Sequence, residues 1–207
     1  MKAQNFRKNS GIILAASLLL FAVVFGACDS LQSSIHEETP PVLKIIIKPD
    51  FKNIRGTSIG IFNFNNCDRS NKLGHAFAQY SRRHLLERKF MKVVDLTGIM
   101  PENIQDAMEV SREKGYDLIL LGSVNEYYYG GLSSDSKVSI SVRVIDVRTE
   151  STLGDIVGIM KDRYEERFDY IFYKRESREA TSPSLLAAKV MEKILNEITG
   201  TPEIPEK

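Results

Sequence analysis

The stretch "DLILLGSV", residues 117–124, decides the fold. Leu118, Ile119, Leu120 and Leu121 follow one another with no polar alternation, in a run too short for an ordinary helix. That pattern fits a central strand covered on both faces, as parallel strands between two helical layers are. Just upstream, Pro101 suits the first turn of a helix that runs to Lys114 and stops at Gly115. Further back, "MKVVDL" (91–96) reads as a short strand, and Leu73, Phe77, Tyr80, Leu85 and Leu86 recur at helical spacing over 71–89. "SIGIFNF" (58–64) and "LKIIIKP" (43–49) are apolar and rich in β-branched residues, so both read as strands.

Downstream the period changes to two. "KVSISVRVIDV" (137–147) sets Val138, Ile140, Val142 and Val144 inward against Ser139, Ser141 and Arg143 outward. The turn-like "RTEST" (148–152) leads into a further strand, "GDIVGIMKDRY" (154–164). Leu186, Val190, Ile194 and Ile198 then form one stripe of a last amphipathic helix. The expected fold is α/β (α+β): a single mixed β-sheet with helices packed on it. Its order is βαβαβ, then an antiparallel meander and a C-terminal helix.

The other end of the chain sets the location. "GIILAASLLLFAVVFGACDS" (11–30) follows the basic residues Lys2, Arg7 and Lys8. Its apolar part, Ile12 to Phe25, has the length of a signal-peptide core and falls short of the roughly 20 residues of a spanning helix. Gly26-Ala27-Cys28 resembles the lipobox of bacterial lipoproteins, with Phe25 where leucine is usual. The resemblance implies a signal peptide over 1–27 and lipidation at Cys28. An ordinary secretory signal, or a short anchor helix with an incidental cysteine, is the competing reading. Two or three acyl chains, at about 0.8 kcal/mol per buried CH2, would hold a membrane without any spanning helix. Residues 28–42 then read as the lipidated cysteine and a polar tether, 43–199 as the domain and 200–207 as a tail. The tether reaches at most on the order of 45 Å.

The whole chain carries 28 basic and 27 acidic residues; without 1–27 the balance is 25 against 27. Mixed, near-neutral charge of this kind gives no reason to expect nucleic acid as a partner. With Cys28 lipidated, only Cys67 is left as a thiol, so no disulfide framework is expected. Cys67 itself reads as a small, partly buried residue at a strand end.

Four segments carry a family resemblance: "SIGIFNFNN" (58–66), "LLERKFMKVVDL" (85–96), "GYDLILLGSVNEYYYGG" (115–131) and "KVSISVRVIDVRTESTLGD" (137–155). Together they resemble the lipoprotein α/β domain shared by the curli-secretion protein CsgG, the penicillin-binding-protein activator LpoB and the N-terminal domain of TolB. The carriers are Asn63, Asn65 and Asn66 at the end of the first strand, and Gly115-Tyr116-Asp117 before a strand with Gly122-Ser123. The turn Asp146-Val147-Arg148-Thr149-Glu150 is the third, with Ser151 where a glycine-containing turn is expected. The resemblance covers about residues 56–198 and implies the fold more than any activity.

No catalytic motif accompanies it. HExxH and GxxxxGK are absent from the sequence; Gly56-Thr57-Ser58-Ile59-Gly60 fits GxSxG by residue type, but Ser58 opens a strand instead of sitting on the strand-to-helix turn that motif needs. His75 and His84, nine positions apart, fall on opposite faces of one helix and cannot share a metal. No enzyme activity, cofactor or metal is expected. Two segments instead read as protein-binding surface. "NEYYYGG" (125–131) sets Tyr127, Tyr128 and Tyr129 beside glycines, although alternate tyrosines could simply pack on the sheet. "RYEERFDYIFYKRESREATS" (163–182) mixes Phe168, Tyr170, Phe172 and Tyr173 with many charges, and an exposed charged β-extension is its plainer reading.

The expected role is that of a membrane-anchored envelope lipoprotein facing the periplasm, a protein-binding assembly or regulatory factor and a possible homo-oligomer. Its envelope partner is not named by the sequence. Activation of a peptidoglycan synthase and membership of a curli-type secretion complex are what the resemblance implies as alternatives. A small-ligand sensor or enzyme, using a polar pocket at Asn63–Asn66, is the alternative of another class. Asp29 implies inner-membrane retention where lipoproteins are sorted as in enteric bacteria, and outer-membrane location otherwise. No channel is expected: a membrane hairpin needs two strands of roughly 9 to 11 residues, and both faces of 163–182 carry charge.

Overall fold

The computed structural model describes residues 39–49, 54–66, 71–89, 91–163, 168–170, 173–175 and 180–200. In chain order the elements are β1 (Val42–Ile47), β2 (Ser58–Ile61), β3 (Asn65–Asn66), α1 (Asn71–Arg88), β4 (Val93–Leu96) and α2 (Ile104–Lys114). There follow β5 (Leu118–Tyr128), β6 (Ser136–Asp146), β7 (Thr152–Asp162), β8 (Phe168–Tyr170), β9 (Tyr173–Arg175) and α3 (Pro183–Thr199). Seven strands form one mixed sheet in the order β1-β7-β6-β5-β2-β4, with β3 beside β5; β8 and β9 form a separate pair. Among the described residues no helix is long and apolar enough to cross a membrane, which says nothing of strands.

The parallel part is β5-β2-β4. α1 carries the chain from β2 to β4, and α2 returns it from β4 to β5, on the far side of β2. Leu118 and Leu120 of β5 join a core with Phe77, Ala78 and Leu85 of α1, whereas Ile119 joins one with Ala107 and Met108 of α2. Side chains alternate along a strand, so the two helices lie on opposite faces. The winding of the connections therefore reverses between β2 and β5, the place where open α/β sheets leave a crevice.

Several local expectations are refined. Pro101 is buried before α2 rather than inside its first turn, and the helix starts at Ile104 because Asn103 caps it, its Oδ1 accepting from Asp106 N–H at 3.0 Å. α1 turns Leu73, Phe77, Tyr80 and Leu85 toward the core but leaves Leu86 exposed. Leu85 and His84 take the buried positions of that turn, and Leu86, a further turn of about 100° round the helix, falls on the solvent side. In the β6–β7 turn, Glu150 itself takes the positive φ, 56°. For a residue with a side chain this costs about 1–2 kcal/mol. The turn is held by Asp146 Oδ1, which accepts from Thr149 N–H at 2.7 Å, and by an ion pair between Glu150 and Arg112.

The antiparallel half follows the period-two reading. Val138, Ile140, Val142 and Val144 are buried beneath α3, which contributes Leu186, Val190, Ile194 and Ile198 together with Ala187, Met191 and Leu195. Each such aliphatic side chain stabilises by about 1.5–3 kcal/mol on full burial.

One side chain holds β2, α1 and β5 together. Phe64, just past β2, stacks on Phe77 with ring centroids 6.0 Å apart. A Cβ at position 122 would lie 2.2 Å from the Phe64 ring, and one at position 74 would lie 2.0 Å from the Phe64 carbonyl oxygen. Phe64 N–H donates to Gly74 O at 3.1 Å. Only glycine at 74 and 122 leaves room for this wedge. Gly122→Ala is expected to lower stability by about 1–3 kcal/mol in chemical denaturation through overpacking, with Phe64→Leu recovering part of the loss when combined with it. Additive losses in the double variant would refute the wedge.

Candidate functional site

The three tyrosines are separated by an irregularity in β5. Register with β6 shifts between Val124 and Glu126, after which Tyr127 lies opposite Val138 and Tyr128 opposite Lys137. Tyr127 is therefore turned to the core, where burial raises its phenol pKa. Tyr128, 56 % exposed, and Tyr129, 48 %, face outward. The sequence left open whether alternate tyrosines pack on the sheet; Tyr128 and Tyr129 are exposed, while Tyr127 is partly buried against the core and still lines the concavity beside them.

The turn that follows is built to hold this rim. Ser133 and Ser134 N–H both donate to Gly130 O, at 3.3 and 3.2 Å, while Gly130 N–H donates to the buried Ser136 Oγ at 3.2 Å. Tyr128 Oη and Ser134 Oγ share a hydrogen bond of 3.1 Å. Gly131 O accepts from Ala180 N–H at 3.0 Å, and Asp162 Oδ2 accepts from Thr181 N–H at 2.7 Å, so the start of α3 is tied to the same end of the sheet. Beside the tyrosines an open concavity of about 510 Å³ is lined by Tyr127, Tyr128, Glu126, Asp135, Lys137 and Lys161. Lys137 pairs with Glu126 at 2.8 Å and Lys161 with Asp135 at 2.7 Å. Exposed pairs such as these add little stability. They do leave the rim aromatic and charge-compensated.

A second polar cluster sits at the end of β2, beside the switch between β2 and β5. Asn63 Nδ2 donates to Gly98 O at 2.9 Å, and Asn63 Oδ1 meets His75 Nδ1 at 3.0 Å. His75 Nε2 lies 2.9 Å from the Gln79 side-chain amide. With Asn63 Oδ1 accepting, His75 carries its proton on Nδ1, and Nε2 of the neutral ring accepts from Gln79. These groups satisfy one another. They brace α1 and the β4–α2 connection against β2 rather than presenting free donors to a ligand. No group of three His, Cys, Asp or Glu residues among the described residues is placed to hold a metal.

The remaining sequence candidates fall elsewhere. Phe168, Tyr170 and Tyr173 lie in the β8–β9 pair, where Phe168 is opposite Arg175 and Tyr170 opposite Tyr173. Phe172, Cys28 and Cys67 lie outside the described residues. A feature missed in the sequence is the exposure of Val42, Ile45, Ile46 and Ile47 on β1, which reads there simply as an apolar strand.

His84 lies on α1 against α3. Burial first, and then the Arg88 guanidinium, push its pKa below the usual value, against the weaker opposing effects of Glu192 and Glu87. The unfolded chain therefore takes up the proton first as pH falls. Stability is fully present above about pH 6.5 and declines as pH drops through the lower folded value. Urea midpoints should fall between pH 7.5 and 5.5, and His84→Gln should flatten that slope; an unchanged slope in the variant would refute the assignment.

No protein-family model matches the chain, and no curated protein matches it by sequence. Solved structures do. The PelC dodecamer from Paraburkholderia phytofirmans superposes with TM-score 0.55 at 17 % identity, covering 77 % of this chain and 97 % of that one. Lipoprotein GNA1162 from Neisseria meningitidis gives TM-score 0.40 at 18 % identity, over 68 % of this chain and 99 % of that one. The LpoB C-terminal domain from Escherichia coli gives 0.37 at 13 %, over 52 % and 84 %. The PelC likeness is one of fold; the other two are looser and carry no argument.

Proposed function

We propose that this chain is a lipid-anchored cell-envelope protein that acts without chemistry of its own, as an assembly or regulatory factor contacting other proteins and further copies of itself. The observation that carries this reading is the Tyr128–Tyr129 rim. Two aromatic side chains stand exposed on a turn stiffened by its own hydrogen bonds, next to a concavity whose lysines are already paired with carboxylates. Tyrosine gives broad contact at low entropy cost. Compensated charge disfavours a polyanion and suits a protein surface. Self-association draws support from the fold shared with a dodecameric protein. The envelope location rests on the lipobox-like Gly26-Ala27-Cys28. A peptidoglycan synthase or a curli-type secretion complex is the partner class that the resemblance implies, and either would use such a rim.

The test places a photo-reactive amino acid at Lys137, inside the concavity, in the full chain within its native envelope. A discrete protein adduct is expected, and Tyr128→Ala with Tyr129→Ala should reduce its yield about tenfold or more, as the loss of central aromatic anchors does. Adducts of equal yield with and without the tyrosines would reject the rim as the contact. Cys28→Ser should remove labelling by a palmitate analogue and release the chain from membranes or stall its processing. Equal labelling of both forms would reject lipidation.

A further inference from the structure

The sheet ends in two strands, β1 and β4, and among the described residues each is paired on one side only. An exposed apolar edge is a template for another strand, and β1 has one: Val42 is 62 % and Ile46 55 % exposed, with Ile45 and Ile47 also open. On β4, Val93 is 46 % exposed.

Their directions are complementary. β4 is parallel to β2 and β5, β6 is antiparallel to β5, β7 to β6 and β1 to β7. β1 thus runs opposite to β4. A second copy laid beside the first in the same orientation brings its β4 against β1 as an antiparallel neighbour.

Their faces are complementary as well. Leu43 and Ile45 lie opposite Gly158 and Ile156, on the face covered by α3, while Lys44 lies opposite Val157 on the other face. On β4, Val94 and Leu96 belong to the helix-covered core, which places Val93 and Asp95 on the other face. The backbone sense agrees. Thr97 N–H donates inward to Ile61 O, so the alternate residues Val94 and Leu96 direct their N–H and C=O outward. By the same alternation, Leu43 and Ile45 do so on β1. Opposed residues of an antiparallel pair share a face and a hydrogen-bonding sense. One register then matches three consecutive pairs: Leu43 with Leu96 and Ile45 with Val94 on the helix face, and Lys44 with Asp95, which also accepts from Tyr116 Oη, on the other; beyond Ile45 the register of β1 on β7 shifts. Opposite charges directly across a strand pair stabilise it. Pairing of β1 with another β1 has no acid to offer Lys44, because the strand contains none.

We infer that copies of this chain join head to tail, β1 of one against β4 of the next in that register. It rests on the self-association proposed above and names its surface. A contact of this kind is heterologous, and repeats until it closes a ring or extends as a filament.

The experiment uses the full chain, purified in detergent, in a Cys67→Ser background. Lys44→Cys and Asp95→Cys together should give a ladder of disulfide-linked dimers, trimers and higher species on mild oxidation, since opposed residues of a non-hydrogen-bonded pair lie about 4.5 Å apart at Cα. The two single variants mixed should give dimers, and each alone none. In analytical ultracentrifugation Lys44→Asp should raise the concentration needed for assembly at least tenfold, and Lys44→Asp with Asp95→Lys should restore it. An oligomeric wild type with no ladder and no response to Lys44→Asp would overturn this surface and leave self-association standing. A wild type that sediments as a monomer at every concentration would overturn both. Dimers from Lys44→Cys alone would overturn the head-to-tail contact in favour of two β1 strands.

Discussion

The position of Phe64 between Gly74 and Gly122 is the constraint on which the rest of the structure depends. β2 has only four residues of regular strand, too few to orient a sheet by hydrogen bonding alone. The aromatic ring beyond its end enters the core between α1 and β5, and the missing Cβ atoms at 74 and 122 let backbone and ring approach. β2, α1 and β5 are thereby fixed relative to one another. Asn63, one residue earlier, binds the β4–α2 connection through Gly98 and α1 through His75. Two neighbouring residues thus tie β2 to α1 by an aromatic contact and by a polar brace.

The two faces of the sheet are treated unequally. α1 and α3 cover one face over most of its width, whereas α2 covers the other only near Phe62, Ile119, Ile145 and Val147. Beyond that patch the second face of β6, β7 and β1 carries Ser139, Ser141, Arg143, Asp155 and Lys44 among Val157 and Ile159. Arg143 donates twice to Asp155 Oδ2, at 3.0 and 2.7 Å, straight across the strand pair, so this charge is held within the sheet. The sheet's edges and its far end, where Tyr128 and Tyr129 stand, are further surfaces open to partners among the described residues. Edges offer backbone hydrogen bonds and so suit copies of the same chain. The aromatic rim offers side-chain contact and suits a different protein. The two are spatially and chemically distinct.

Strand β5, the alternation of β6 and the apolar stripe of α3 were all legible in the sequence, because each buries its own pattern of residues and needs no knowledge of the neighbour that covers it. The start of α2 was less so: Pro101 and Asn103 both signal a helix start, and the cap to Asp106 won because it satisfies a backbone donor. The tyrosine cluster was half legible. Aromatic composition pointed to the segment, but the register shift after Val124 alone decides that Tyr127 turns inward and Tyr128 outward. The Asn63–His75–Gln79 brace was out of reach, since its members come from a strand end and a helix whose rotation is set by the core.

By itself the sequence determined the class of fold, the order of its elements and the apolar faces of its longest strand pair and last helix, all properties of local period and length. The tertiary structure alone decided where β1 goes. Its apolar residues read only as those of a strand, and it docks at the outer edge against β7 with Val42, Ile45, Ile46 and Ile47 exposed, because local pattern does not say which strands become neighbours. That choice makes Leu43 to Ile45 an edge whose proposed match, Val94 to Leu96, lies at the opposite end of the same sheet.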